Sequence, residues 1–495
     1  MLAYGMNPSF HVWWGREIVF ADAMRRASEF TVPDAQGQPT RNPARVRADY
    51  WPAELCAARL FGDMGGTIPA GNYVVTWDED GSVTLRGSAV VREVSREARR
   101  LVVEVKSDGA LFAVFTPPVK SVRIWLPGME PAKPLFWPPY VAKVKAMNRG
   151  SGPHTWRTLD WTHVNDYGTG EFVFDLAGAI TPNSPSQGTK RGICPEFQAQ
   201  FCNAIGANLH FNIPHRTDEI SEQDYVRFVT HQMRVLYRTL SPNLTLTVEL
   251  SNEIWNKGFP QNRWYEKEGA ARGLTLEQEV ARNLKLFWPY LSQIHPRARR
   301  YLAGHTTTPD FVRDVLAAIP TSLRIDALGP ACYFRPLSTT ISQWMAGATK
   351  TACPNCPTPL QVIQAARLSL PRLRQGLREH RVMATQRGAK LELYEAGQSF
   401  LAGFQPWGTS ARQAQYLPEL YDAYVNDIIP MLVDEGVDLV NWYSFMNEQS
   451  PLSGTPSVGF GCWDNMDQTI TLPVPASYLD ERAPKAAAIY RGPPT

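Results

Sequence analysis

Two rhythms of apolar residues divide this chain. Between residues 50 and 127, short alternating runs follow at close spacing. GNYVVTWDEDGSVTLRG sets two of them on either side of Asp-Glu-Asp-Gly, a hairpin signal, and RRLVVEVKS, LFAVFTP and SVRIWLPG continue the series. The pattern predicts a small antiparallel β-domain over 50–127. After Pro127-Gly128 short apolar strands alternate with long amphipathic helices. The strands are predicted at 155–161, 208–214, 246–252, 299–305, 326–334, 390–396 and 437–445. Helices are predicted at 222–240, where Tyr225, Phe228, Val229, Met233, Leu236 and Leu240 share one side, and at 276–294, 309–319, 360–386 (broken near Pro371) and 411–435. LAYGMN at 2–7 reads as one more strand, with a helical pattern around 19–30 behind it.

Eight strand–helix units argue for a parallel sheet covered by helices and closed into a (β/α)8 TIM barrel. The chain then divides into 1–49, the first barrel strand with its loop and helix; 50–127, the β-domain inserted after that strand; and 128–495, the rest of the barrel. An open doubly wound sheet is the competing arrangement. It would carry a glycine-rich phosphate turn after the first strand, and MNPSFHVWW holds none.

Composition narrows the function. The chain has 50 basic and 47 acidic residues, without a dense Lys/Arg block, which argues against nucleic acid as a partner. No run approaches the ~18 consecutive apolar residues of a membrane span. The load of 15 Trp and 18 Tyr is heavy; core packing accounts for most of it, and the sharper reading is that some of these rings line a groove for flat, weakly polar ligands such as sugars. Of seven cysteines, only Cys353-Pro-Asn-Cys356 has CxxC spacing. A single pair falls short of the roughly four ligands of structural zinc, so a local disulfide or free thiols are expected there, with Cys194 and Cys202 a weaker pair. No metal or other cofactor is expected. MLAYGMNPSF lacks the charged and apolar regions of a secretion signal. The expectation is a secreted or periplasmic protein whose signal is already removed, with the cytoplasm as the alternative.

The chemistry sits at two strand ends. LTVELSNEIWN, 246–256, delivers Asn252 and Glu253 where the fourth barrel strand gives way to a loop, and KLELYEAGQSF, 390–400, delivers Glu395 at the end of the seventh. Barrel chemistry gathers at the C-terminal ends of the strands, and strands four and seven face each other across the mouth. Two carboxylates in one pocket suit a retaining glycosidase, in which a proton donor and an ionised nucleophile stand ~5–5.5 Å apart. Their mutual repulsion helps to keep one protonated.

Asn252-Glu253 on strand four with Glu395 on strand seven resembles the clan A glycoside hydrolases. The longer strings VELSNEIWN and YEAGQSF, Asp160-Trp161…Asn165 at strand two and Ile213-Pro214-His215 after strand three are similar to a bacterial, cellulase-like group of that clan often joined to cellulose-binding modules. The resemblance implies that Glu253 is the acid/base and Glu395 the nucleophile. It implies that Asn252 binds the sugar 2-hydroxyl, Tyr333 donates to Glu395, His215 sits at the rim near the reacting sugar, Arg157 adds positive charge near the nucleophile, and Trp442 forms a platform under the sugar. The implied substrate is a β-linked polysaccharide or oligosaccharide, cellulose or another β-glucan first, mannan or xylan next. This chain has Ala331 where some members carry His in a His-x-Tyr string, and Glu-Ala-Gly where the similar group shows Glu-Gly-Gly.

Each assignment has a competitor. Tyr333 also reads as a core tyrosine and His215 as a hydrogen-bonded loop histidine. Arg157 also fits a buried pair with Glu249, which shares parity with Glu253 and needs a partner. Trp463 in GFGCWDN competes with Trp442, and Asp160 either contacts substrate or braces His163. Trp14, with Trp13, either walls a subsite or covers the insertion. Glu392 has the opposite parity to its strand end and is expected to face the helices. At the level of function, a carbohydrate-binding protein on the same barrel is the alternative. It would have no need of the intact glutamate pair.

Overall fold

The structure, a computed structural model, describes residues 2–165, 179–349, 353–402, 405–447, 459–474 and 483–493. Eight parallel strands close into a barrel in chain order: β1 (Ala3–Asn7), β2 (Thr155–Arg157), β3 (Asn208–Ile213), β4 (Leu246–Leu250), β5 (Ala298–His305), β6 (Ala327–Phe334), β7 (Lys390–Gln398) and β8 (Leu439–Tyr443). The last pairs with the first in register, Ala3 to Leu439 through Asn7 to Tyr443, which closes the ring. The TIM barrel read from the periodicity is the observed fold.

Capped, amphipathic helices cover the strands. Glu222–Thr239 starts on Ser221, whose side chain accepts from the Asp224 N–H, and buries Tyr225, Phe228, Val229, Met233 and Leu236. Leu276–Ile294 starts on a Thr275/Gln278 capping box. The expected helix over 360–386 is two helices, Pro359–Arg367 and Leu370–Arg387, with Pro371 in the first turn of the second. The segment at 411–435 is more broken than its periodicity suggests. Pro418 and Pro430 each begin a new short helix, Pro418–Asp422 and Ile429–Asp434, and a π-helical stretch lies between them.

Between β1 and β2 lie two antiparallel sheets with their own core. One has the order 120–125, 71–78, 100–105, 90–97, and the other 39–43, 31–33, 56–61, 111–116, 82–86. The second sheet begins before residue 50, since Thr31–Pro33 pairs with Cys56–Phe61. The helix expected around 19–30 is one 3-10 turn, Ala23–Arg26. Here Asp22 accepts from the Met24 and Ile124 N–H groups at 3.0 and 2.8 Å, and the Arg26 guanidinium donates to the Val12 and Gly15 carbonyls. The bond to Ile124 ties the segment to the insertion, and those of Arg26 tie it to the loop after β1, so that it forms a junction between barrel and insertion.

The barrel interior is polar and aromatic, and a bulge in β7 sets its upper layers. Leu328 to Cys332 of β6 spans the same rise as Leu391 to Ala396 of β7, one residue more. The extra residue turns both Tyr394 and Glu395 inward. Glu392 therefore also faces the barrel interior and not the helices: it pairs with Arg299 at 2.6 Å, and Arg299 also reaches Thr247 of β4. The bulge lies between Glu392 and Glu395, so the alternation of faces does not run unbroken from one to the other. Gly329 of β6 lies so close to the Glu392 carbonyl that no side chain fits there.

Cys353 and Cys356 form a disulfide. Cys194 and Cys202 are free and buried, at the start and on the third turn of the helix Pro195–Ile205, so no bridge joins them. No described helix is long and apolar enough to cross a membrane. Among the described residues no cluster of His, Cys, Asp and Glu could hold a metal ion.

Candidate active site

A cleft of about 350 Å³ opens at the C-terminal ends of the strands, and Asn252, Glu253, Tyr333 and Glu395 all line it. The chain leaves β4 through two residues in the left-handed region, Ser251 (φ 56°) and Glu253 (φ 41°). That conformation costs a non-glycine residue on the order of 1–2 kcal/mol, and such costs persist where the surroundings over-determine the backbone. Here Ser251 donates its N–H to Ile213, and Gln261 donates to the Asn252 carbonyl at 2.6 Å.

Arg157 organises the floor. Its guanidinium is fully buried and donates to both Glu249 oxygens at 3.0 and 2.9 Å, to Glu395 Oε1 at 2.8 Å, to Asn252 Oδ1 at 2.9 Å and to Asn7 Oδ1 at 3.0 Å. The Tyr394 ring lies against it at 4.7 Å. β2 ends at Arg157, and a helical turn, Leu159–Thr162, replaces the rest of the expected strand. The arginine thus stands at the strand end, high enough to reach Glu395 while also pairing with Glu249. The two readings of Arg157 describe one network. Burial raises Glu249, but Arg157 and then His210, at 2.8 Å, outweigh it and hold this carboxylate below its ordinary range.

The glutamates facing the cleft have unlike surroundings. Burial first, then the Glu395 carboxylate, pushes Glu253 up to about 8, opposed mainly by a 2.8 Å hydrogen bond from the neutral Asn256 amide. Burial also raises Glu395, but here a cation works against it: the Arg157 ion pair pulls the other way, and so does the Tyr333 hydroxyl, which donates to Oε2 at 2.8 Å. The net shift of Glu395 is still upward, but of the two it is the one with a cation and a hydroxyl favouring its charged form.

Asn252 is fixed from both sides, accepting from Arg157 and donating to Asn165 at 3.1 Å. Five residues expected at the site do not line the cleft. Trp442 is fully buried on the outward face of β8, packed edge-on to Tyr4 and Tyr424, because Asn441 and Tyr443 take the inward parity. Trp463 is buried against Tyr490, with Lys143 over its ring at 3.9 Å. His215 is buried beside Trp264 and Tyr265 with Nδ1 3.4 Å from the Ser251 hydroxyl, and burial lowers it to about 3, so it is a neutral, hydrogen-bonded residue behind the end of β4. Trp14 is 57% exposed, and its neighbour Trp13 accepts from the Gly62 N–H of the insertion, which places the pair on the insertion side. Asp160 lies on the helical turn after β2 and does not line the cleft; it accepts from the Tyr443 hydroxyl at 3.0 Å and so acts on the cleft wall from behind.

The cleft's aromatic walls are other residues. Trp255 lines it, donates its indole N–H to the Tyr394 hydroxyl at 3.1 Å and lies 4.3 Å from the His305 ring. Tyr443 and Phe460 pack on each other and on Tyr333 on the opposite side. Trp255 stands two places after Glu253, so the same string that carries the acid signals it. No residue of the insertion lines this cleft.

No known family model matches the chain, and no characterised protein matches its sequence. Among solved structures it is similar to a modular endo-β-1,4-mannanase from Cellulomonas fimi, at 15% identity and TM-score 0.35, over 63% of this chain and 62% of that one. It is also similar to a family 51 α-L-arabinofuranosidase from Bifidobacterium longum, at 11% identity and TM-score 0.40, over 63% and 62%. A third is a glycoside hydrolase family 39 enzyme from Xanthomonas axonopodis pv. citri, at 15% and 0.37, over 72% and 62%. The chain thus spans less than two thirds of the length of each. These three solved structures are glycoside hydrolases of families 26, 51 and 39.

Proposed function

We propose that this protein is a retaining glycoside hydrolase acting within β-linked polysaccharides, with β-glucan the first polymer to test and mannan and xylan next. The observation that carries the reading is the contrast between Glu253, desolvated and raised to about 8, and Glu395, ion-paired and hydrogen-bonded in the same cleft. Such divergence separates an acid from a nucleophile. In the first step a Glu395 oxygen bonds to the anomeric carbon, the glycosidic C–O bond breaks, and Glu253 gives its proton to the departing oxygen. In the second step Glu253, now ionised, takes a proton from water. The hydroxide attacks the anomeric carbon and Glu395 leaves. Asn252, oriented by Arg157 and Asn165, meets the sugar 2-hydroxyl. Trp255 provides the stacking surface and also lines a neighbouring hollow of about 440 Å³, which suits a chain longer than one sugar. The Cys353–Cys356 disulfide suits an exported protein.

The pH profile tests the acid. Ionisation of Glu253 removes the proton donor, so kcat/KM is expected to fall as pH rises through about 8. Glu253→Gln should lose hydrolysis of natural polymers but cleave an aryl glycoside with a good leaving group, without that alkaline limb. The same shift costs stability. A carboxyl whose folded pKa lies above its unfolded value loses stability as pH rises from the ordinary range, 4.5, to about 8. Glu253→Gln is therefore expected to melt higher than wild type at pH 7 and at the same temperature at pH 4. An unchanged or lowered melting temperature at pH 7 would remove the desolvated-acid assignment.

Tyr333→Phe tests the support of the nucleophile. A hydrogen bond to a charged group is worth about 1.5–3 kcal/mol, so kcat should fall roughly tenfold to a hundredfold. The acidic limb should move to higher pH, because Glu395 loses a donor that favours its charged form. A fall in kcat with an unmoved acidic limb would make Tyr333 a packing residue only.

A further inference from the structure

One wall of the cleft carries charge that the double displacement does not use. Arg335, just beyond the end of β6, and Arg372, in the first turn of the helix Leu370–Arg387, both line it, with His305 from the end of β5. Both arginines are exposed, and neither guanidinium has a hydrogen bond or ion pair to a described residue. Two arginines pointing elsewhere from the same helix are paired. Arg374 and Arg378 reach Glu435 at 2.9 and 3.1 Å. The only carboxylates lining the cleft among the described residues are Glu253 and Glu395, and Glu395 already has its cation in Arg157. His305 accepts the Thr307 N–H on Nδ1 at 3.2 Å, which leaves its proton on Nε2. Burial first, then Arg335, His380 and Arg372, keeps this ring neutral at working pH, as a donor without charge.

Two forked cations and a neutral N–H donor beside a sugar cleft form an anion-recognising wall. Resting on the glycosidase reading above, we infer that the natural substrate is an acidic glycan, whose uronate carboxylate or sulfate ester is received by Arg335, Arg372 and His305 on the β5–β6 side of the scissile bond. A neutral polymer leaves both guanidinium groups without a partner. An acidic one is also drawn in by their field, so its capture falls with ionic strength.

The test offers β-1,4-glucan, mannan and xylan, each in neutral, uronate-bearing and sulfated form, to the full chain at low and high salt. For at least one backbone, kcat/KM should be higher for an acidic form than for the neutral one, and more so at low salt. The ratio should fall about tenfold or more in the Arg335→Gln/Arg372→Gln double variant, the worth of losing two charge-assisted forks. The loss should appear in KM. Whether the uronate or the sulfated form is preferred identifies the anion. Preference for the neutral form, or a ratio unmoved in the double variant, overturns the inference and leaves the hydrolase reading standing. If nothing is cleaved, the hydrolase reading falls and calorimetric titration with the same polymers decides. Salt-sensitive binding of an acidic form that the double variant loses supports the acidic ligand, and binding without regard to charge overturns it.

Discussion

Glu395→Ala is expected to be inert on every polymer the wild-type protein cleaves, a loss of about 10⁴-fold or more, as for removal of other covalent nucleophiles. The expectation follows from placement. Glu395 is turned inward by an extra residue in β7, set 2.8 Å from the Arg157 guanidinium and held at its other oxygen by Tyr333. The carboxylates of the same network cannot replace it. Glu249 spends both oxygens on Arg157 and one also on His210, and Glu253 approaches as the acid. The alanine leaves a space where a small anion can attack the anomeric carbon. Azide should restore turnover of an activated glycoside and give a glycosyl azide of inverted configuration. Full activity in the alanine variant, or azide rescue with retention, contradicts the assignment.

Arg157→Met is expected to be the most damaging change to the fold and to activity together. It leaves Glu249 and Glu395 buried without their shared cation, and breaking such a pair from one side costs about 3–5 kcal/mol. The surviving Glu395 then feels burial and its neighbours' charge with only the Tyr333 hydrogen bond opposing them, and is expected to take up a proton more readily. Activity should drop on the order of 10²–10³-fold, as when a preorganised donor is removed. Adding Glu249→Gln should recover much of the lost melting temperature, since one uncompensated charge disappears, but little activity, since Glu395 still lacks its ion pair. Arg157→Lys keeps a charge without the fork that reaches four side chains and should fall in between. Equal stability of wild type and Arg157→Met, measured by denaturant unfolding, would contradict the network described for the floor.

The features legible in the sequence were those set by local periodicity and strand-end position. Seven of the eight barrel strands stand close to their predicted places, and Asn252, Glu253, Tyr333 and Glu395 meet in one cleft. What escaped was set by one-residue offsets and distant contacts. The β7 bulge hides that Glu392 and Tyr394 face inward. On β8 a single step of parity separates Trp442 in the core from Tyr443 in the cleft. The short second strand hides how high Arg157 stands. The stretch at 19–30 reads as a helix because its periodicity cannot show that Asp22 and Arg26 are committed to backbone groups elsewhere. An aromatic count signals a sugar cleft, but burial decides which rings line it, and here Trp255 does while Trp442 and Trp463 do not.

The most direct measurement is product release from soluble and insoluble β-glucans, mannans and xylans, neutral and acidic, by wild type and Glu253→Gln side by side, with the anomer of the first-formed product read by NMR. Hydrolysis of one polymer with β-configured product, absent in Glu253→Gln, is the predicted result. Tight binding without cleavage of any polymer, α-configured first product, or equal cleavage by the variant would contradict the two-glutamate retaining mechanism.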